Sequence, residues 1–192
     1  MPYFNIVAET SENTVVTEYE PVKKRSDSYQ SEAALEQEFI RLLCEQGYEY
    51  LPIHREKDLT ANLRKKLEEL NNYQFSDTEW DDFFKNAVAN PNEHIVEKTR
   101  KIQEDNVQVL TRDDGSSKNI TLIDKKNIHN NRLQVINQYV IGTENGAKHD
   151  NRYDVTVLVN GLPLVHIELK RRGVAIREAF NQINRYQSDS FW

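Results

Sequence analysis

A single cysteine, Cys44, stands in the 192 residues. That excludes an intrachain disulfide and any metal site built from thiolates. Long apolar runs are missing too: none approaches the roughly 20 residues that cross a membrane. The opening MPYFNIVAETSENT lacks the basic-then-apolar layout of a secretory signal. The expectation is a cytoplasmic protein with no membrane partner. Basic charge is in deficit, with 25 Lys+Arg against 31 Asp+Glu and a net charge of −6. A chain that coats nucleic acid through its overall field is usually basic. Any contact with nucleic acid must therefore rest on a local basic patch or on bound cations.

What is present divides along the chain. Residues 1–28 are polar, with short apolar bursts and the basic run Lys23-Lys24-Arg25, and read as an N-terminal arm carrying one strand. QSEAALEQEFIRLLCEQG reads as a helix, with Ser31 as N-cap, Gly47 as stop, and Leu35, Phe39, Leu42 and Leu43 as its apolar stripe. Cys44 on this helix is expected to be buried and inert. Residues 58–105 hold three polar helical segments, each with a cap signal, and form a helical layer in which Trp80 packs. From 106 the texture turns β-branched. NVQVLT, NITLID, RLQVINQYVIG, YDVTVLV and PLVHIELK are separated by turn-forming stretches, which predicts a sheet of about five strands. A last helix follows Gly173.

The stretch NRYDVTVLVNGLPLVHIELKRRG, 151–173, poses a problem. Asn160-Gly161 is a strong hairpin signal. Val155, Val157 and Val159 share one face with Val165, Ile167 and Leu169, and this is the expected core side. The other face carries Asp154, Thr156 and Leu158, then Leu164, His166, Glu168 and Lys170. A strict two-residue turn would set Asp154 opposite Ile167. A three-residue loop, or a bulge that restores the parity, would set it opposite Glu168. Two facing carboxylates repel in water-poor surroundings and call for a cation. Two hard oxygen ligands suit Mg²⁺, which can activate water and stabilise charge on a phosphodiester. Lys170 could position that water or neutralise the developing charge. The residues alone leave a second reading open, a charged solvent face on an edge hairpin.

An acidic-x-Lys triplet is weak by itself, and the chain holds two, Asp124-Lys125-Lys126 and Glu168-Leu169-Lys170. Around the first, the upstream acids Asp113 and Asp114 lie in a turn, where Asp is normal. Asp154 and Glu168 lie within strands, where Asp is disfavoured. His166 beside Glu168 is either a supporting group or a packing residue. Lys170-Arg171-Arg172 and Arg177 could grip phosphates.

YDVTVLVNGLPLVHIELK resembles the Asp…Glu-x-Lys core of the PD-(D/E)XK nucleases, and VNGLPLV with IELK is similar to the restriction (R) subunit of type I restriction–modification enzymes, type IC branch. NRLQVINQYVIG and RRGVAIREAFNQINRYQSDSF extend the likeness over about 120–191. The resemblance implies an α/β fold: a restriction-endonuclease-like core with a mixed sheet flanked by helices, plus an extra helical segment. The nuclease domain would run over 29–192, with its catalytic core over about 106–192. It implies a Mg²⁺-dependent endonuclease domain that hydrolyses double-stranded DNA. Asp154 and Glu168 would ligate the metal with the Leu169 backbone carbonyl, and Lys170 would be catalytic. Gln182 and Tyr186 match a Gln-x-x-x-Tyr motif shared with RecB-like nucleases, and would position DNA or the lysine with Arg171 and Arg172. An acidic residue on the preceding helix often supports such sites. Glu32 and Glu36 both fit, and Glu36, deeper in the helix, is preferred as a further metal ligand. Tyr153 stands where the family often has Pro. R subunits are much longer and hydrolyse ATP in a motor domain. No Gly-x-x-x-x-Gly-Lys-Ser/Thr loop occurs here, so the chain is expected to be the nuclease part alone. Methyltransferase and specificity subunits would be its partners. The competing expectation is a non-catalytic docking module between motor and methyltransferase.

Overall fold

Leucines 59, 63 and 67 recur every fourth residue, which on a helix sets them in one stripe. In the computed structural model they lie on α2 (Glu56–Asn71) and all three are fully buried. The structure describes residues 3–9, 15–20, 31–141, 151–171 and 177–181. Helix α2 is a spine between two apolar clusters. Leu59 packs with Ile136, Tyr139, Tyr153 and Leu158 of the sheet. Leu63 and Leu67 pack with Phe75, Trp80, Phe83, Leu110, Ile120 and Leu122.

The helices follow their cap signals. Helix α1 (Glu32–Glu45) starts at Ser31, whose side-chain oxygen accepts from the Ala34 N–H at 3.1 Å, and Gly47 beyond its end has a φ of 93°. Helix α3 (Asp77–Phe83) opens on a Ser76/Glu79 capping box and continues as a π turn, Phe84–Val88. Helix α4 spans Ile95–Gln103. The apolar stripe of α1 is only half-buried, and Glu36 is the one buried residue of that helix. Cys44 is exposed, not buried as its residue type suggested, because it lies on the outer side of the last turn of α1.

Four strands form one mixed sheet in the order β3 (Glu49–Tyr50), β6 (Leu133–Ile141), β7 (Asn151–Val159), β8 (Leu162–Ile167). β3 runs parallel to β6 and the other pairs are antiparallel. β4 (Val107–Thr111) and β5 (Ser117–Thr121) make a separate ribbon. Its inward residues Leu110 and Ile120 join the α2–α3 cluster, while Val107 and Val109 stay exposed. Strand periodicity does not say which sheet a strand joins, and here the ribbon packs on helices. The N-terminal arm carries two strands, β1 (Tyr3–Glu9) and β2 (Val15–Glu20), paired antiparallel. Residues 177–181 are helical. Among the described residues no helix is long and apolar enough to cross a membrane.

The β7–β8 hairpin solves the parity problem with a bulge. Val159 pairs with Leu162 around Asn160 and Gly161, whose φ values are 52° and 84°. The register then shifts, Leu164 is left without a partner, and Val157 pairs with Val165 and Val155 with Ile167. One step beyond the paired residues the Asp154 and Glu168 side chains meet. The division into a core side and a polar side needs correction. β7 is covered on both faces, with Val155 at 0%, Thr156 at 1% and Leu158 at 0% exposure, whereas Val165 on the edge strand is 49% exposed.

Candidate active site

β7 delivers Asp154 and the chain leaving β8 delivers Glu168, Leu169 and Lys170. The Leu169 N–H donates to Asp154 Oδ2 at 2.9 Å, which ties the end of β8 to β7. Lys170 Nζ donates to Glu168 Oε1 at 2.6 Å. The Glu168 side chain is only 4% exposed and that of Lys170 19%.

The electrostatics follow from this crowding. Burial pushes the Glu168 carboxyl above its ordinary value, and the neighbouring Asp154 pushes the same way. Together they outweigh the ammonium of Lys170. Burial works against a charged Lys170. Its hydrogen bond to Glu168 and the charges of Glu168, Asp154 and Glu32 prevail, and its pKa is raised. Two carboxylates share one ammonium, so the site is short of positive charge. Its donors are hard oxygens, which suit Mg²⁺ or Mn²⁺. Among the described residues no three or more His, Cys, Asp or Glu gather into a metal cage.

Helix α1 brings its two glutamates to different places. Glu32 Oε1 accepts from the Arg171 N–H at 3.3 Å, beside Lys170. Glu36, one turn on, is 9% exposed and is held by β6. Asn137 Nδ2 donates to its Oε1 at 2.6 Å, and Gln138 Nε2 donates to its Oε2. Nothing in the sequence marked Asn137 and Gln138 as partners of Glu36. The available signal was a pair of amides inside a β-branched strand, where Asn is disfavoured.

The remaining candidates have clear places. His166 stacks on Tyr153 with ring centroids 4.5 Å apart, and its Nδ1 lies 3.0 Å from Thr156 Oγ1. Tyr153 is 2% exposed and fills core volume. Arg171 is exposed, as are Arg177 and Glu178. Arg172, Gln182 and Tyr186 lie outside the described residues. Asp124, in the other triplet, closes its own loop. Its Oδ1 accepts from the Lys126 and Asn127 N–H groups, its Oδ2 accepts from Asn130 Nδ2, and these bonds lower its pKa.

The family model described as type I restriction enzyme R protein N terminus matches residues 29–191. The chain belongs to this family. It is 50% identical over 186 residues to the type I restriction enzyme EcoprrI endonuclease subunit of Escherichia coli, covering 96% of this chain and 58% of that protein. It is 39% identical over 168 residues to the SsaAORF53P endonuclease subunit of Staphylococcus saprophyticus, covering 85% of this chain and 17% of that protein. The HindI endonuclease subunit of Haemophilus influenzae is 30% identical over 181 residues, with coverages of 83% and 17%. The chain thus spans between a sixth and three fifths of the length of these relatives. Its mixed α/β architecture is consistent with a nuclease-like core in an R-protein N-terminal domain.

Proposed function

We propose that this R-protein N-terminal domain is a Mg²⁺-dependent endonuclease that hydrolyses phosphodiester bonds of double-stranded DNA. The observation that carries the reading is the meeting of the Asp154 and Glu168 side chains at the end of the bulged hairpin, with Lys170 bonded to a nearly buried Glu168. Asp154 and Glu168 would hold the ion, with the Leu169 carbonyl as a further ligand. When bound, Mg²⁺ supplies a water of lowered pKa and Lewis-acid stabilisation of the phosphoryl oxygens. In hydrolysis the water oxygen bonds to phosphorus, the bond from phosphorus to a sugar oxygen breaks, and the proton lost by the water passes to solvent while solvent protonates the leaving sugar oxygen. Lys170 orients that water and offsets negative charge growing on the phosphate. Glu32 adds negative charge near Lys170 and accepts from the Arg171 N–H. Arg171 and Arg172 contact phosphates and supply register without reading bases. Gln182 and Tyr186 position DNA or Lys170.

The longer relatives support a wider setting. We propose that an ATP-driven motor elsewhere in an R subunit feeds DNA to this site, and that methyltransferase and specificity subunits supply target recognition in the cytoplasm.

The test is Asp154→Ala and Glu168→Ala in the full-length enzyme, beside Mn²⁺ titration of the chain. Cleavage should be abolished, while ATP hydrolysis and translocation continue and circular dichroism is unchanged. Unfolding of both variants would make the carboxylates structural. Absence of Mn²⁺ binding in the unaltered chain would favour a docking module.

A further inference from the structure

β6 contains a residue that a regular strand would not hold. Gln138 has a φ of 51°, the left-handed region, where a non-glycine residue is strained. The β6–β7 register runs from Leu133↔Val159 to Asn137↔Val155 and resumes at Tyr139↔Tyr153, so the count sets Gln138 against Asp154, at the position where the pairing is interrupted.

In a pleated strand Asn137 and Gln138 would face opposite sides of the sheet. Both amides instead converge on one carboxylate, that of Glu36. The left-handed φ of Gln138 breaks that alternation. The neighbouring backbone is fixed as well. Tyr50 Oη donates to Asn137 Oδ1 at 2.9 Å, His54 Nδ1 lies 3.1 Å from the Asn137 carbonyl oxygen, and the Val140 N–H donates to the His54 carbonyl at 3.5 Å. Directly opposed side chains on antiparallel strands stand with Cβ atoms roughly 5 Å apart on the same face. An extended Gln138 would therefore place its amide beside Asp154, in the space between the two carboxylates and their ligand.

We infer that Glu36 is a positioning residue: it clamps Gln138 in the left-handed conformation and so keeps the strand opposite from crowding Asp154. It acts through β6 and is not itself a ligand. The inference rests on the metal-site reading for its consequence, but the clamp stands apart from it.

The experiment uses the 192-residue chain in three forms: unaltered, Glu36→Ala, and Glu36→Ala with Gln138→Gly. Glycine takes the left-handed conformation freely and has no side chain to intrude. The first readout needs no metal. The three-bond HN–Hα coupling of residue 138 reports a left-handed Gln138 in the unaltered chain and an extended one in Glu36→Ala. The second is Mn²⁺ titration by calorimetry. Glu36→Ala should weaken binding roughly 10- to 100-fold, the usual scale for a group that orients a metal ligand, and the added Gln138→Gly should restore most of it. Thermal melts identify the folded fraction of each variant. A Gln138 that stays left-handed in Glu36→Ala overturns the clamp. Weakened binding that Gln138→Gly does not restore overturns the path through β6. If the unaltered chain binds no Mn²⁺, the metal reading falls, and the coupling alone decides the clamp.

Discussion

Gly161→Ala should damage this fold more than its place in a surface-type turn suggests. A Cβ there would lie 2.6 Å from Leu63 Cα, 3.0 Å from Leu63 N and 3.2 Å from Asn62 Nδ2. Two of these atoms are helix backbone and cannot rotate away. The turn must lift from α2, or α2 must yield at its most buried stretch. Gly115 supplies the control: its φ of 78° is similar to the 84° of Gly161, but a Cβ there meets nothing within 4 Å. A left-handed non-glycine residue costs about 1–2 kcal/mol in either place. Overpacking against the α2 backbone adds about 1–3 kcal/mol at position 161 alone. At about 2–4 °C per kcal/mol for a chain of this size, Gly161→Ala should melt roughly 2–12 °C below Gly115→Ala. Differential scanning calorimetry on both variants reads the gap. Because the same hairpin carries Asp154 and Glu168, Mn²⁺ affinity should fall in Gly161→Ala and hold in Gly115→Ala. Equal melting temperatures would refute the contact with Leu63 as a constraint on the hairpin.

Site-resolved carboxyl titration by ¹³C NMR in metal-free buffer should show Glu168 titrating above its ordinary value, lower in Asp154→Asn, where a repelling charge is gone, and higher in Lys170→Met, where the attracting one is gone; the reverse order would reject the described electrostatics. Since folding raises this carboxyl's pKa, Glu168 opposes folding at pH above the raised value. That penalty is relieved as pH falls through it, so Asp154→Asn should gain stability at neutral pH more than in acid, as melts at both pH values would reveal. Asp124→Ala removes the acceptor of three loop hydrogen bonds and should lower the melting temperature while cleavage by the full-length enzyme persists; a folded but inactive variant would move the active site to the other triplet. Gln182→Ala or Tyr186→Ala should slow plasmid cleavage roughly 10- to 1000-fold without changing Mn²⁺ affinity, and full-rate cleavage by both would remove these two residues from the site.

The hairpin was legible because its constraints are local and discrete. Asn160-Gly161 dictates a tight turn, side chains alternate, and two carboxylates on one face demand an extra residue, which the structure places at Leu164. Ser31 and Ser76 marked helix starts for the same reason, since a cap is satisfied within one turn. Long-range partnerships were not legible. That β4 and β5 leave the main sheet depends on the space beside α2 and α3. That Glu36 is buried while Leu42 is 41% exposed depends on where Asn137 and Gln138 meet α1, about a hundred residues away in sequence. A left-handed Gln138 carries no composition signal, because the residue favoured there is glycine or asparagine.

Asn160 gives the turn a chemical clock. Asparagine followed by glycine is the pair most prone to lose ammonia, because the unhindered glycine nitrogen can attack the side-chain carbonyl and close a succinimide. In the folded chain that carbonyl oxygen is occupied by the Arg132 N–H at 2.8 Å, and Nδ2 donates to Leu122 O at 3.0 Å and Asn131 Oδ1 at 2.8 Å. The residue is 1% exposed, so ring closure requires the turn to open first. We predict that deamidation at Asn160, located by peptide mapping on aged samples, tracks how often the hairpin opens. Rapid modification in fully folded protein would contradict this. Once formed, an aspartate there would be a buried negative charge facing the Leu122 carbonyl, and ageing would become irreversible at the strand pair that carries the site.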